Sequence, residues 1–410
     1  MSRITGVVIL LCSLLLCGAA PAAHEVTAKQ IDDLFAALKS SNAPGAAVLV
    51  LKDGHAVFER GYGVQDLQTL HRIDAHTNFR LASVTKQFTA MATMLLVHDG
   101  KLSYETRLSD IFPDFPEPGK LISIRNLLNH TSGLPDYEDL MPKYDSRASG
   151  GQISQIQDAE VLELLKHQGT TKFAPGSQWD YSNSGYVMLG LIVAKASGKP
   201  FAEFLRERIF APLKMDQTIA YQKDRNTVQN RAFGHSMVKG TWRQTDQSPT
   251  SATLGDGGVY SSLADLAKWD RALREHALVG AAEMQAALTP VSAPDGSPKE
   301  PDGSPAAYGF GWFLNPYKGH SRMWHYGETV GFRTAIQRFP DDKLTIIILC
   351  NRSDLNPTAL ALKIADLYLS PGPSNNPNRV QNGSRDHESK RIHQDGLPGR
   401  RRIRSRASHR

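Results

Sequence analysis

Cysteine is scarce in this chain, and its scarcity excludes a disulfide-stapled protein. Only three cysteines occur among the 410 residues. Two of them, Cys12 and Cys17, lie in an apolar N-terminal segment whose removal is predicted below. Cys350 is then the only cysteine of the mature chain, so no intrachain disulfide can form. It follows a run of apolar and β-branched residues, which favours the role of a small buried hydrophobe.

The motifs of several enzyme classes are also absent. The chain contains no H-E-x-x-H and no paired C-x-x-C, so no metal site is predicted. A P-loop, a G-x-G-x-x-G and a G-x-S-x-G are likewise missing, which argues against nucleotide-binding enzymes and α/β-hydrolases. No cofactor is therefore expected.

Excess charge of one sign is confined to the C-terminal end. The formal net charge is +6, but residues 371–410 hold ten Lys or Arg against three Asp or Glu, so the rest of the chain is nearly neutral. This Pro-, Asn-, Ser- and Arg-rich stretch predicts a basic disordered tail that can touch anionic surfaces. A body without excess positive charge predicts no specific nucleic-acid partner.

The N-terminus has the pattern of a secretory signal. Arg3 precedes the apolar run 7–17, and Ala20-Pro21-Ala22 fits an A-x-A cleavage site. The run is too short to span a membrane comfortably. Residues 1–23 are therefore predicted to be a signal peptide that is cleaved near Ala22 or Ala23, and the mature protein is expected to be secreted or periplasmic.

Strand-like segments stand at both ends of the remaining chain, with helical segments between them. Apolar runs within 46–62 and 308–351 predict strands, and the stretch from about 102 to 251 indicates helices and long loops. This order predicts one α/β (α+β) domain over 24–370. Its sheet would be assembled from about 24–100 and 300–370, with the helical stretch as an insertion.

The most informative motif is Ser83-Val84-Thr85-Lys86, which opens an apolar helical stretch that Gly100 is placed to end. Positions i and i+3 share a helix face, so the Ser83 hydroxyl would lie beside an amine that can take its proton. In the first helical turn, free N–H groups could also stabilise an oxyanion. A second S-x-x-K at 236–239 has no such helix. The alternative is that Ser83 only caps the helix.

Two further motifs follow in chain order. Tyr181-Ser182-Asn183 is the only Y-x-N in the chain and lies ahead of a helical run. Its phenol can relay a proton if nearby cations lower the pKa, and its amide can orient substrate or lysine. His325-Tyr326-Gly327 precedes a predicted hairpin. There the glycine would let a substrate backbone approach, and the imidazole would offer a donor or a charge that titrates near physiological pH.

Together these motifs, separated by 98 and 144 residues, resemble those of the serine β-lactamase and penicillin-binding-protein superfamily. The resemblance is greatest to the branch of class C β-lactamases, DD-peptidases, D-aminopeptidases and related esterases, and it runs from about Val26 to Leu369. Four other segments also resemble that branch: Leu127–Pro135, Pro175-Gly176, Gly255–Ser262 and Tyr308–Trp312.

The resemblance implies a β-lactamase/transpeptidase-like fold, with an antiparallel sheet flanked by helices beside an all-helical lobe. The site would lie in the cleft between them. Ser83 would be the nucleophile that forms an acyl-enzyme, while Lys86 and Tyr181 would handle the proton. Asn183 would orient groups, and His325 on the edge strand would bind substrate or modulate the tyrosine.

Backbone groups and one arginine complete the implied site. The N–H groups of Ser83 and of Glu328, just past Gly327, would hold the oxyanion. Losing one such donor typically raises the barrier by about 3 kcal/mol. Arg333 could restore a contact with a substrate carboxylate.

One departure from the pattern bears on specificity. His325-Tyr326-Gly327 stands where β-lactamases usually carry K-T-G, so a permanent cation and a small hydroxyl that help grip a substrate carboxylate are missing. Peptidase or esterase activity on a small molecule or a peptide, cell-wall peptides included, is therefore ranked above efficient β-lactamase activity. The alternatives are a β-lactamase, or a non-catalytic protein of the same fold that binds penicillin or cell-wall peptides.

The signal sequence yields a testable prediction. When the gene product is expressed in an exporting host, the purified protein should begin near Ala23 or His24, because the small-residue end of the signal lies there. N-terminal sequencing measures this directly. A mature product that still begins at Met1, or that carries a lipid on Cys17, would contradict the prediction.

Overall fold

A computed structural model describes residues 26–141 and 153–370 of the chain. The predicted signal peptide and basic tail lie outside these residues and stay predictions. Within the described part, no helix is long and apolar enough to cross a membrane.

The strands of the described residues are β1 (Ala46–Lys52), β2 (His55–Tyr62), β3 (Phe79–Arg80), β4 (Ile219–Ala220), β5 (His235–Val238), β6 (Thr241–Gln244), β7 (Val259–Ser261), β8 (Met323–Thr329), β9 (Phe332–Phe339) and β10 (Leu344–Cys350). The α-helices are α1 (Ala28–Leu34), α2 (Lys86–His98), α3 (Leu108–Ile111), α4 (Ile124–Leu128), α5 (Tyr137–Leu140), α6 (Asp158–Lys166), α7 (Asn183–Ser197), α8 (Phe201–Leu205), α9 (Leu263–Glu275), α10 (Ala281–Leu288) and α11 (Pro357–Tyr368).

The main sheet joins the two ends of the chain, as the sequence predicts. Its five strands lie in the order β2-β1-β10-β9-β8, and every neighbouring pair is antiparallel. Asp53 and Gly54 connect β1 to β2 with φ of 51° and 83°, the left-handed pair that a tight hairpin turn requires. The strand β8 is left at the edge, beside the helical part of the molecule.

Both faces of this sheet are covered, which explains why β1 is apolar and buried from Ala46 to Leu51. Ala46, Val48 and Val50 pack in the core formed with α1 and α11. Ala47, Leu49 and Leu51 pack on the opposite face, in the larger core that contains α2, α7 and α9. Cys350, at the end of β10, is a fully buried free thiol, in keeping with the hydrophobic role predicted for it.

The region between the strands is helical but not entirely so. Two short β structures within or beside it are absent from the sequence-based prediction: the three-stranded sheet β3-β7-β4 and the hairpin β5-β6. Strands of two to four residues are too short to show periodicity in a sequence. Ser236 lies on β5 and its hydroxyl is paired with that of Thr245, so the second S-x-x-K motif belongs to a hairpin rather than to a helix.

The helix α2 occupies the centre of the molecule. Every residue from Lys86 to Leu96 is buried, and the helix packs against α7 and α8. A helix that is buried all round needs no polar face. Lys86, at its first turn, is therefore a buried amine, and the groups that contact it determine its protonation.

Candidate active site

Ser83 lies in a short 3-10 turn, Ala82–Thr85, that runs into α2 at Lys86. The sequence-based prediction placed Ser83 in the first α-helical turn, so the α-helix begins three residues later than expected. The N-cap alternative is wrong, because neither the 3-10 turn nor α2 has a side-chain cap. Ala82, just before Ser83, has a φ of 48°, a strained conformation of the kind that clusters at active sites.

The amine of Lys86 is the centre of the site. It is fully buried, and its Nζ lies 3.1 Å from the Ser83 Oγ, 2.9 Å from the Asn183 Oδ1 and 3.0 Å from the Asp256 carbonyl oxygen. An ammonium group has three donors and no acceptor, so these three oxygens satisfy it completely. When the amine is neutral, its lone pair is available to the Ser83 hydroxyl.

Burial decides the protonation of this amine. Desolvation lowers the pKa of Lys86 to about 8, against the opposing pull of Asp256, Asp136 and Glu138. An ordinary lysine titrates near 10.4. A substantial fraction of Lys86 is therefore neutral just above neutral pH, which is the condition for a general base.

Tyr181 stands beside the same amine but in the opposite protonation state. The Lys86 Nζ lies 4.9 Å from the centroid of its ring. Burial raises the pKa of Tyr181 far above its ordinary range, although the nearby Ser83 hydroxyl opposes the rise. The phenol is neutral at physiological pH, contrary to the expectation that cations would lower its pKa. Its buried oxygen has no partner of hydrogen-bond geometry in the described part of the chain.

Asn183 accepts a hydrogen bond from the lysine. It is the first residue of α7, and its N–H donates to the Asp136 carboxylate at 2.9 Å. Its side-chain oxygen accepts from Lys86, which leaves its amide nitrogen facing the Glu138 carboxylate at 3.5 Å. Partial burial, with a contribution from Asp136 and Asp256, raises the pKa of Glu138 to about 7. The site thus places three carboxylates around one amine.

The edge strand β8 closes the other side of the site through Gly327. A Cβ at Gly327 would overlap the Leu81 carbonyl oxygen and the Thr334 Oγ1, and would lie 3.2 Å from the Ala82 Cβ. Thr334 on β9 donates to the same Leu81 carbonyl at 2.8 Å. Only glycine permits this approach. Ala82 and Gly327 both take part in this contact. The predicted oxyanion donors are the N–H groups of the residues that follow them, Ser83 and Glu328.

His325 lies on the edge strand β8, as expected, but its protonation state differs from the expectation. It is fully buried, with Nε2 3.1 Å from the Tyr308 hydroxyl and Nδ1 2.7 Å from the Tyr326 carbonyl oxygen. Burial, reinforced by the Lys86 charge, lowers the pKa of His325 to about 3. The imidazole therefore stays neutral at physiological pH and does not supply the titratable charge that was expected. Its ring centroid lies 6.3 Å from that of Tyr181.

Arg333 projects away from the Ser83 turn. It alternates along β9 with Thr334, which faces the Ser83 turn, so its side chain leaves the opposite face of the sheet. There it forms an ion pair of 2.7 Å with Glu328 and donates to the carbonyl oxygens of Thr329 and Phe332. The expected contact with a substrate carboxylate is therefore not supported.

Several polar residues of the site escaped individual assignment from the sequence. His130, Asp136, Glu138 and Asp256 surround Lys86, Tyr181 and Asn183. His130 and Asp256 lie in segments that carried the family resemblance, but spacing alone gave them no role. In the described part of the chain, no group of three His, Cys, Asp or Glu side chains is arranged to hold a metal ion.

Comparison with known proteins identifies the family. Residues 31–369 match the protein family described as Beta-lactamase. The chain belongs to the β-lactamase family. Penicillin-binding protein 4* of Bacillus subtilis (strain 168) is 31% identical to it over 366 residues, which cover 86% of this chain and 78% of that protein.

Other relatives of this β-lactamase-family chain carry different activities in their names. A D-aminopeptidase of Gluconobacter oxydans (strain 621H) is 27% identical to this chain. The match covers 78% of this chain and 58% of the D-aminopeptidase. The crystal structure of D-amino acid amidase from Ochrobactrum anthropi SV3 superposes with a TM-score of 0.68 at 25% identity, covering 83% of this chain and 96% of the amidase. The predicted family and the predicted fold class are confirmed, and the family is one of serine hydrolases.

The close contact at Gly327 yields a prediction. Gly327→Ala should slow covalent labelling of Ser83 by a fluorophosphonate roughly 10- to 100-fold. The added Cβ would force the β8 backbone away from the Ser83 turn. A misplacement of about 1 Å in an active site can lower the rate about a hundredfold. Gly169→Ala is the control, since a Cβ there meets nothing within 4 Å. The rates of labelling of both variants and of the wild type are measured by mass spectrometry. Equal rates for Gly327→Ala and the wild type would contradict this placement of β8.

Proposed function

We propose that this protein is a secreted serine hydrolase that cleaves esters or amides through an acyl-enzyme on Ser83. Membership of a serine-hydrolase family supports the reaction class. The observation that carries the proposal is the contact of 3.1 Å between the Lys86 Nζ and the Ser83 Oγ, made by an amine whose pKa burial has lowered to about 8.

The proton path follows from the two pKa values. Neutral Lys86 takes the proton of Ser83 as its oxygen attacks the substrate carbonyl carbon, because Tyr181 is a phenol rather than a phenolate. The tetrahedral oxyanion is held by the N–H groups of Ser83 and Glu328. When that intermediate collapses, Tyr181 passes a proton to the leaving group and is reprotonated from Lys86. Water then hydrolyses the acyl-enzyme by the same path.

The charges around the cleft favour substrates without a carboxylate beside the scissile bond. His325 is neutral and buried, and Arg333 is paired with Glu328 on the other face of the sheet. The carboxyl groups that act on the charge of Lys86 are those of Asp256, Asp136 and Glu138, and in their ionised forms they would repel a substrate carboxylate. Peptidase, amidase or esterase activity therefore fits better than efficient hydrolysis of penicillins.

Ser83→Ala tests the assignment of the nucleophile. It should abolish both covalent labelling by a fluorophosphonate and hydrolysis of p-nitrophenyl esters, D-amino-acid amides, D-Ala-D-Ala peptides and nitrocefin, whichever of these the wild type accepts. The matched control is Ser236→Ala, which changes a serine of the same S-x-x-K spacing on the hairpin β5-β6 and should retain labelling and turnover. Mass spectrometry of the adduct locates the modified serine. A wild type that is never labelled, or is labelled at Ser236 or Ser182, would refute the proposal.

The pKa of Lys86 sets the pH dependence. Only the neutral amine can accept the Ser83 proton, so kcat/KM for a p-nitrophenyl ester should rise with pH and level off above about pH 8. Glu138 favours the charged amine, so Glu138→Gln should shift this inflection to lower pH. Glu105→Gln is the control, because Glu105 pairs with Arg125 instead. An inflection that stays in place in Glu138→Gln, or that survives in Lys86→Ala, would contradict the assignment of Lys86 as the base.

A further inference from the structure

His130 is a buried residue to which the mechanism above assigns no role. It lies between α4 and α5, in the segment that runs from Leu127 to Pro135, and its side chain is 1% exposed. We propose that His130 is the positioning residue for Tyr181, holding the phenol at Ser83 by binding the backbone on both sides of it. This inference rests on the proposed function, in which Tyr181 passes a proton to the leaving group.

Two hydrogen bonds connect His130 to the backbone on either side of Tyr181. The N–H of Asp180 donates to the His130 carbonyl oxygen at 3.0 Å, and the N–H of Ser182 donates to the His130 Nδ1 at 3.1 Å. The residues that flank Tyr181 are therefore both bonded to one histidine. This arrangement fixes the backbone position from which the phenol projects.

The imidazole ring also contacts the phenol itself. The ring centroids of His130 and Tyr181 are 4.4 Å apart at 35°, and the Tyr308 ring lies 4.7 Å from His130. Tyr308 in turn reaches the His325 Nε2. Rings packed in this way leave Tyr181 little freedom to move away from Lys86, whose Nζ lies 4.9 Å from the Tyr181 centroid.

The hydrogen bond from the Ser182 N–H requires a neutral imidazole, and the surroundings of His130 keep the ring neutral. The Nδ1 atom can accept from Ser182 only if it carries no proton, so the proton resides on Nε2. Burial first, and then the charge of Lys86, lower the pKa of His130 well below its usual range. The acceptor at Nδ1 is therefore retained across the working range of pH.

The backbone of His130 suggests two matched substitutions. Its φ is 61°, in the left-handed region that glycine and asparagine tolerate best. His130→Gly removes the ring and its acceptor without straining the backbone. His130→Asn fits the same backbone and keeps an acceptor, the Oδ1 atom, near the position of Nδ1. The comparison of these two variants isolates the side-chain acceptor.

The readout is the dependence of rate on the leaving group. Phenyl acetate and p-nitrophenyl acetate give the same acetyl-enzyme. p-Nitrophenolate is the better leaving group, whereas phenolate, whose conjugate acid has a pKa of about 10 as in tyrosine, gains more from a proton supplied as it departs. A misplaced Tyr181 should therefore lower kcat/KM about 10- to 100-fold for phenyl acetate and less than about threefold for p-nitrophenyl acetate. A general loss of structure would lower both.

The expected results are specific. His130→Gly should show the selective loss on phenyl acetate, His130→Asn should restore at least a third of the wild-type value, and Tyr181→Phe should show the same selective loss. In the Tyr181→Phe background, His130→Gly should add little, because both changes act on one proton transfer. Circular dichroism and thermal unfolding verify the fold of each variant. If His130→Gly does not fold, the decision rests on the phenyl acetate value of His130→Asn.

Three outcomes would overturn the inference: equal losses on both esters in His130→Gly, a folded His130→Asn that is as impaired as Tyr181→Phe, or additive losses in the double variant. Each differs from failure of the proposed function, which would appear as a wild type whose Ser83 is not labelled and which hydrolyses neither ester.

Discussion

The burial of the Lys86 amine is the constraint on which the rest of this site depends. A cation in an apolar interior is costly unless oxygen acceptors surround it. Ser83, Asn183 and the Asp256 carbonyl provide those acceptors at about 3 Å, and each arrives from a different part of the chain. Holding one amine therefore fixes the relative positions of α2, α7 and the glycine-rich segment before β7. The same burial lowers the pKa of the amine into the range in which it can act as a base.

The carboxylates near the amine limit how far burial lowers the pKa of Lys86. Asp256, Asp136 and Glu138 each favour the charged form of Lys86, while burial favours the neutral form more strongly. The balance leaves the amine poised near neutral pH instead of permanently neutral. Glu138 is itself raised to a pKa of about 7 by partial burial and by its acidic neighbours. The protonation states of the two groups are thus coupled, and the charge of the cleft depends on pH over a narrow range.

Aromatic packing carries the second half of the site. Tyr181, His130, Tyr308 and His325 form a continuous set of ring contacts between α7 and the edge strand β8. Both histidines are buried and neutral, so they act here through geometry and hydrogen bonds rather than through charge. Gly327 lets the same strand touch the turn that carries Ser83. Ser83, Lys86 and Tyr181 are in this way held between the helical part of the molecule and the strand β8.

The sequence by itself determined the family, the fold class and the residues Ser83, Lys86 and Tyr181 as candidates. Short motifs in a fixed order can be recognised in a linear sequence without knowledge of the fold. Apolar runs also predicted the long strands and helices, since their periodicity reports which faces are buried. Only the tertiary structure decided the protonation states, the face of the sheet from which Arg333 projects and the contacts of His130. Those properties depend on desolvation and on distances between residues far apart in the chain: Arg333 and Thr334 are neighbours in sequence yet face opposite sides of the sheet, and His130 meets Ser182 only after folding.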